Sequence, residues 1–125
     1  MIFIKESEAP SEVVGPPYKR VIRHLSAPWT TGSKNVWVGT SSVDPGYTSN
    51  EHFHDGQEET FYCVSGKGKI KVDSEIADVN LGDLVYVPAG CKHQLINDGK
   101  VVFKVLAVVT PPFIPEKFKQ DHNLK

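Results

Sequence analysis

The sequence has few cysteines, a single methionine, no long apolar run and no excess of charge of either sign. Its two cysteines, Cys63 and Cys91, are too few for a disulfide framework and form no Cys-x-x-Cys pair, so both are expected to stay reduced. Lysine and arginine number 14 against 15 acidic residues, a net charge of -1, which offers no field to gather nucleic acid or anionic lipid. The longest apolar run, Val101 to Val109, is interrupted by Lys104 and is too short to span a bilayer. Met1-Ile2-Phe3-Ile4 runs directly into Lys5, Glu6 and Glu8, leaving no apolar stretch for a signal peptide. A soluble, cytoplasmic protein is the expectation. Any sustained amphipathic helical period is also missing.

What the chain does have is punctuation. Ten glycines and nine prolines divide its 125 residues into short pieces rich in β-branched and aromatic side chains. Strands are predicted at Tyr18–Leu25, Asn35–Val43, Asn50–His54, Thr60–Ser65, Lys69–Val72, Glu75–Val79, Asp83–Val87, His93–Ile96 and Val101–Val109. Between them stand corners such as Asp44-Pro45-Gly46, Gly66-Lys67-Gly68, Pro88-Ala89-Gly90 and Asn97-Asp98-Gly99. This pattern predicts an all-β sandwich or barrel in one domain, residues 1–125. Residues 1–17 and 111–125, rich in proline, are expected to be extended arms over it.

Chemistry is concentrated in four residues. His52 and His54 stand two apart, so on an extended chain both imidazoles face one side, close enough for a single ion. Glu59 follows a short turn and returns a carboxylate over that face. His93, just past the Pro88-Ala89-Gly90 corner, reaches the same place from another strand. Glu58 is the rival carboxylate, but on an extended strand it points the other way. Three imidazoles and one carboxylate suit a divalent transition metal (Mn, Fe, Ni, Co or Zn) with positions left for water or substrate.

Gly46, five residues, His52-x-His54, four residues, Glu59, six residues and Gly66 resembles the first motif of the cupin family. Gly82, five residues, Pro88-x-Gly90, two residues, His93, three residues and Asn97 resembles the second. Fifteen residues, Lys67 to Leu81, separate the two, as in small cupins with one barrel. The resemblance implies a jelly-roll barrel, the double-stranded β-helix. It also implies a metal held by His52, His54, Glu59 and His93, and a homodimer. The glycines and Asn97 are read as turn residues without a chemical role.

Parity places Phe61 and Cys63 inward with Glu59, and Leu95 inward with His93. Phe103 alternates with Lys104 and joins them. Tyr47 and Tyr86 are further pocket candidates, and no catalytic residue is assigned. Lys19, Arg20 and Arg23 read as a solvated strand face, and His24 and His122 as surface residues. Similarity to cupins implies a metal-dependent dioxygenase, isomerase or lyase acting on a sugar, small carboxylate or phenolic compound. The alternative is a non-catalytic module that binds or senses a sugar or oxyanion at the metal. A small-molecule ligand is expected in either case, with no nucleic acid and no membrane partner.

Overall fold

Between the glycine and proline corners the chain folds into nine strands in a computed structural model, which describes residues 1–124. They are β1 (Ser11–Val14), β2 (Arg20–Ser26), β3 (Trp37–Val43), β4 (Glu58–Ser65), β5 (Gly68–Val72), β6 (Glu75–Val79), β7 (Leu84–Val87), β8 (His93–Ile96) and β9 (Phe103–Thr110). One helix, α1 (Pro115–Asp121), closes the chain. The strands form two antiparallel sheets, a larger one in the order β1-β2-β3-β9-β4-β7 and a smaller one in the order β6-β5-β8. This is the jelly-roll arrangement expected from the sequence.

The inward face of each strand follows a two-residue alternation. Glu59, Phe61 and Cys63 on β4 are buried, and so are His93 and Leu95 on β8. Phe103, Val105, Ala107 and Val109 of β9 form the spine of the large sheet, between β3 and β4. Val87 of β7 joins them from the same sheet, and Ile70 and Leu95 of the small sheet pack opposite. Gly66 holds the corner between β4 and β5 at a φ of 72°, and a Cβ there would lie 2.0 Å from the carbonyl oxygen of Val102, so only glycine fits. Asn97 acts as a brace: its amide donates to the carbonyls of Val43 and Val101, while its side-chain oxygen accepts from Gly99 N–H.

Three segments differ from expectation. Asn50–His54 is not a regular strand; pairing is limited to bridges at Thr48–Ile96 and His52–His93. Between them the Ser49 hydroxyl takes the Leu95 N–H, so a side chain replaces a rung of the ladder. The amino-terminal arm contains β1, which extends the large sheet beside β2. The carboxy-terminal arm contains α1, which starts on Pro115, where a missing N–H costs nothing. Seven residues are too few to show a helical period. The helix is held by Phe118, which packs against Phe113 and Trp37 at ring separations of 5.2 and 6.0 Å.

Candidate metal centre

Main-chain pairing builds the site. His52 and His93 face each other across a bridge, His52 N–H donating to His93 O at 3.1 Å and His93 N–H to His52 O at 2.8 Å. Their rings are consequently 4.4 Å apart, with the His54 ring 4.8 Å from His52 and 5.0 Å from His93. Glu59 enters from β4 of the other sheet. One ligand atom from each of His52, His54, Glu59 and His93 falls within 4.8 Å of the other three. Glu59, His54 and His93 are buried, and His52 is partly exposed. Glu58 is exposed and accepts from the Tyr86 hydroxyl at 2.9 Å, facing away as its parity requires.

Each imidazole is oriented through its Nδ1. His52 Nδ1 lies 2.9 Å from Asn50 O, His93 Nδ1 lies 3.1 Å from Cys91 O, and His54 Nδ1 lies 2.7 Å from the carboxylate of Asp121. All three partners are acceptors, so each Nδ1 carries the proton and, in the neutral ring that a metal ligand must be, Nε2 presents a lone pair. His54 Nε2 and His93 Nε2 then stand 3.0 and 3.1 Å from Glu59 Oε1, and none of these three buried atoms has a hydrogen-bond partner. With neutral rings these lone pairs would repel the carboxylate in a dry interior unless a cation lies among them; without a metal a proton takes that place, and His54 is raised accordingly. Two ligand atoms bound to one ion at about 2.1 Å and at right angles are about 3.0 Å apart, so the spacing fits neighbouring positions of an octahedral ion. The donors therefore fit a divalent transition metal. His52, His54, Glu59 and His93 would hold it.

Burial raises the Glu59 carboxyl, but His54 and His93 overcome it and hold the group far below the usual range, so Glu59 is an anion. Burial, followed by the charges of His93, His54 and Arg20, pushes His52 well below its ordinary value and keeps it neutral, as a ligand must be. Burial also opposes protonation of His54, yet the Glu59 and Asp121 carboxylates raise it on balance.

The last residue of α1 and the one after it belong to this site although nothing in the sequence placed them there. Asp121 is buried, ion-paired to Lys117 as well as to His54. His122 is buried too, its ring 4.8 Å from that of His52 and 4.2 Å from that of Phe118, with Nδ1 donating to Phe118 O. Its expected surface position is overturned because α1 folds back across the end of the barrel. His24 is likewise interior, accepting from Trp37 Nε1 at 3.1 Å and packing on Phe118. Arg20, expected on a solvated face, points inward with Ile22 and His24.

Of the pocket candidates, Phe61 stands beside the centre, its ring 5.8 Å from His93. Cys63, Leu95 and Phe103 are core residues, with Cys63 turned toward the carbonyls of Ser65 and Gly66. Tyr47 and Tyr86 are on the surface, so neither lines the interior beside the metal residues. A polar cavity of about 510 Å³ opens on the His52 side, bounded by Tyr18, Asn50, Lys92, Lys117 and Gln120. Of the four metal residues, His52 alone borders it.

A jelly roll with three histidines and one glutamate clustered where they could hold one ion defines a class of barrel proteins. The family model for the cupin domain matches residues 39–109, more than half of the chain, and the chain belongs to the cupin family. An uncharacterised protein of Methanocaldococcus jannaschii is 30% identical over 96 residues, 77% of each chain. Quercetin 2,3-dioxygenase of Bacillus subtilis is 30% identical over 69 residues, 55% of this chain and 20% of that enzyme. The polyketide cyclase RemF of Streptomyces resistomycificus superposes with a TM-score of 0.76 over 95% of this chain and 91% of its own, at 19% identity. That last likeness concerns the fold alone. Among the described residues no helix is long and apolar enough to cross a membrane.

Proposed function

We propose that this chain is a metal-dependent enzyme whose ion, held by His52, His54, Glu59 and His93, takes a small oxygenated substrate into its free coordination positions. The carrying observation is the convergence of orphaned, buried His54 Nε2, His93 Nε2 and Glu59 Oε1 on one point, beside a cavity that reaches His52. A divalent ion there would polarise a carbonyl or hydroxyl oxygen. The chain's own residues do the rest. Glu59 supplies the one negative charge among the four, Asn50, Cys91 and Asp121 fix the imidazole tautomers, and Phe61 keeps water from the inner wall. The name of one relative, a quercetin dioxygenase, supports an oxygenated organic substrate without choosing a reaction.

Oxygen uptake and product analysis of metal-loaded protein against sugars, keto acids and phenols tests this reading. Turnover well above that of free metal, lost in His54→Ala, is expected. A second reading, capture of a ligand without turnover, is favoured by the surface placement of Tyr47 and Tyr86, which removes two polar pocket candidates from the interior. It predicts tight ligand binding with turnover no faster than free metal.

A further inference from the structure

Helix α1 presents two faces to two cavities. Lys117, Gln120 and Asp121 border the His52 cavity, whereas Pro115, Phe118 and Lys119 border another, of about 300 Å³, closed by Glu12 of β1, His24 of β2 and Trp29. The i, i+3, i+4 spacing of each set gathers it on one side of the helix. No lining residue is common to the two cavities. The second is therefore a place of its own, apart from the metal residues.

Its polar groups are left without close partners. His24 is 3% exposed, and its tautomer follows from its neighbour. Trp37 Nε1 can only donate, so His24 Nδ1, 3.1 Å away, accepts, and the ring proton is on Nε2. Burial holds the imidazole below its ordinary value, with Glu12 opposing, and keeps it neutral. Nε2 then stands 3.7 Å from Glu12 Oε1, too far for a hydrogen bond, so a buried donor is aimed at the cavity wall with no acceptor in reach. Among the described residues Lys119 forms no ion pair, with Glu12 or with any other acid. Between these groups the walls are aromatic, with the Trp29 and Phe118 rings 5.2 and 4.6 Å from the imidazole, both edge-on to it.

We propose that this cavity binds a small zwitterion, an alkylated ammonium joined by a short linker to a carboxylate, with the ammonium between Trp29 and Glu12 and the carboxylate toward Lys119 and the Nε2–H of His24. An alkylated ammonium suits the aromatic wall because its charge is spread over an apolar surface that needs no hydrogen bond, and Glu12 supplies the countercharge. A ligand with the carboxylate alone would meet Glu12, and one with the cation alone would meet Lys119. Only a molecule carrying both charges offsets each of them.

The test titrates the full chain with glycine betaine, with tert-butylacetate, which has carbon in place of the charged nitrogen, and with choline, which lacks the carboxylate, followed by calorimetry and tryptophan fluorescence. Glycine betaine is expected to bind at least about tenfold tighter than either control. Glu12→Gln and Trp29→Leu should each weaken it by about tenfold or more, with the thermal midpoint and metal content at wild-type levels, and Lys119→Met should bring it toward choline. An inward acid on an edge strand also serves to deter pairing with other chains, and a Glu12 with that role alone would leave ligand affinity unchanged in Glu12→Gln. Binding is expected to persist after chelation. No binding of glycine betaine in the millimolar range, equal binding of tert-butylacetate, an unchanged affinity in Glu12→Gln, or binding abolished by chelation overturns the proposal.

Discussion

Nδ1 of His54 lies 2.7 Å from Oδ2 of Asp121, joining a residue before β4 to the last residue of α1 across 67 positions of sequence. Lys117 holds the other oxygen of that carboxylate, and Asn50 donates to the Asp121 carbonyl at 2.9 Å. The carboxy-terminal helix thus orients one residue of the candidate metal centre. Asp121→Asn is expected to weaken metal affinity by roughly 10–100-fold, the usual cost of losing an outer carboxylate from a histidine ligand. Chelator competition measures this, and an affinity equal to wild type would show that the contact is structural only.

The two adjacent glutamates give a sharp contrast. Glu59→Gln removes the anionic ligand and is expected to lower metal affinity by more than about 100-fold. Glu58→Gln loses only an exposed hydrogen bond to Tyr86 and should bind metal as the wild type does. The reverse order in a metal titration would assign the carboxylate to Glu58.

In metal-free protein the buried histidines govern stability at acid pH. Burial, then neighbouring charges, holds both His52 and His122 well below 6.5 in the folded state. As pH falls below that value the unfolded chain binds protons that the folded chain refuses, so stability declines by up to about 1.4 kcal/mol per pH unit for each group. His54 acts in the opposite sense, because its value is raised. Its contribution is complete below 6.5 and is lost as pH rises through the folded-state value. Replacing His122 by Phe should therefore flatten the acid limb of a urea-melt series by about one proton. An unaltered slope would mean that His122 does not resist protonation.

The apolar wall predicts stability effects without metal effects. Phe103 is fully buried at the centre of the large sheet, and Phe103→Ala is expected to cost about 3–5 kcal/mol in denaturant melts. Tyr86→Phe, at an exposed site, should stay within about 0.5 kcal/mol. A neutral Phe103→Ala would place that side chain outside the core.

Much of the barrel and the clustering of the four residues that could hold an ion were legible because the information is local. His52 and His54 share a face by their spacing of two, Glu59 and Phe61 alternate with exposed Tyr62, and the glycine corners mark where strands end. The parts that escaped depend on distant neighbours. Arg20 stands in a basic run that looks solvated, and only its pairing opposite β3 turns it onto Ser41. Asp121 ends and His122 follows a helix too short for periodicity, and their placement appears only once Phe118 docks on Trp37 and Phe113. Tyr47 and Tyr86 were candidates by residue type, yet the backbone carries both to the outside.

The central claim is that His52, His54, Glu59 and His93 hold one divalent transition ion. Elemental analysis of protein purified without chelator, and again after reconstitution, tests it most directly. Close to one equivalent per chain is expected in the wild type, with most of it lost in His54→Ala. A wild-type protein that stays metal-free after reconstitution would contradict the account.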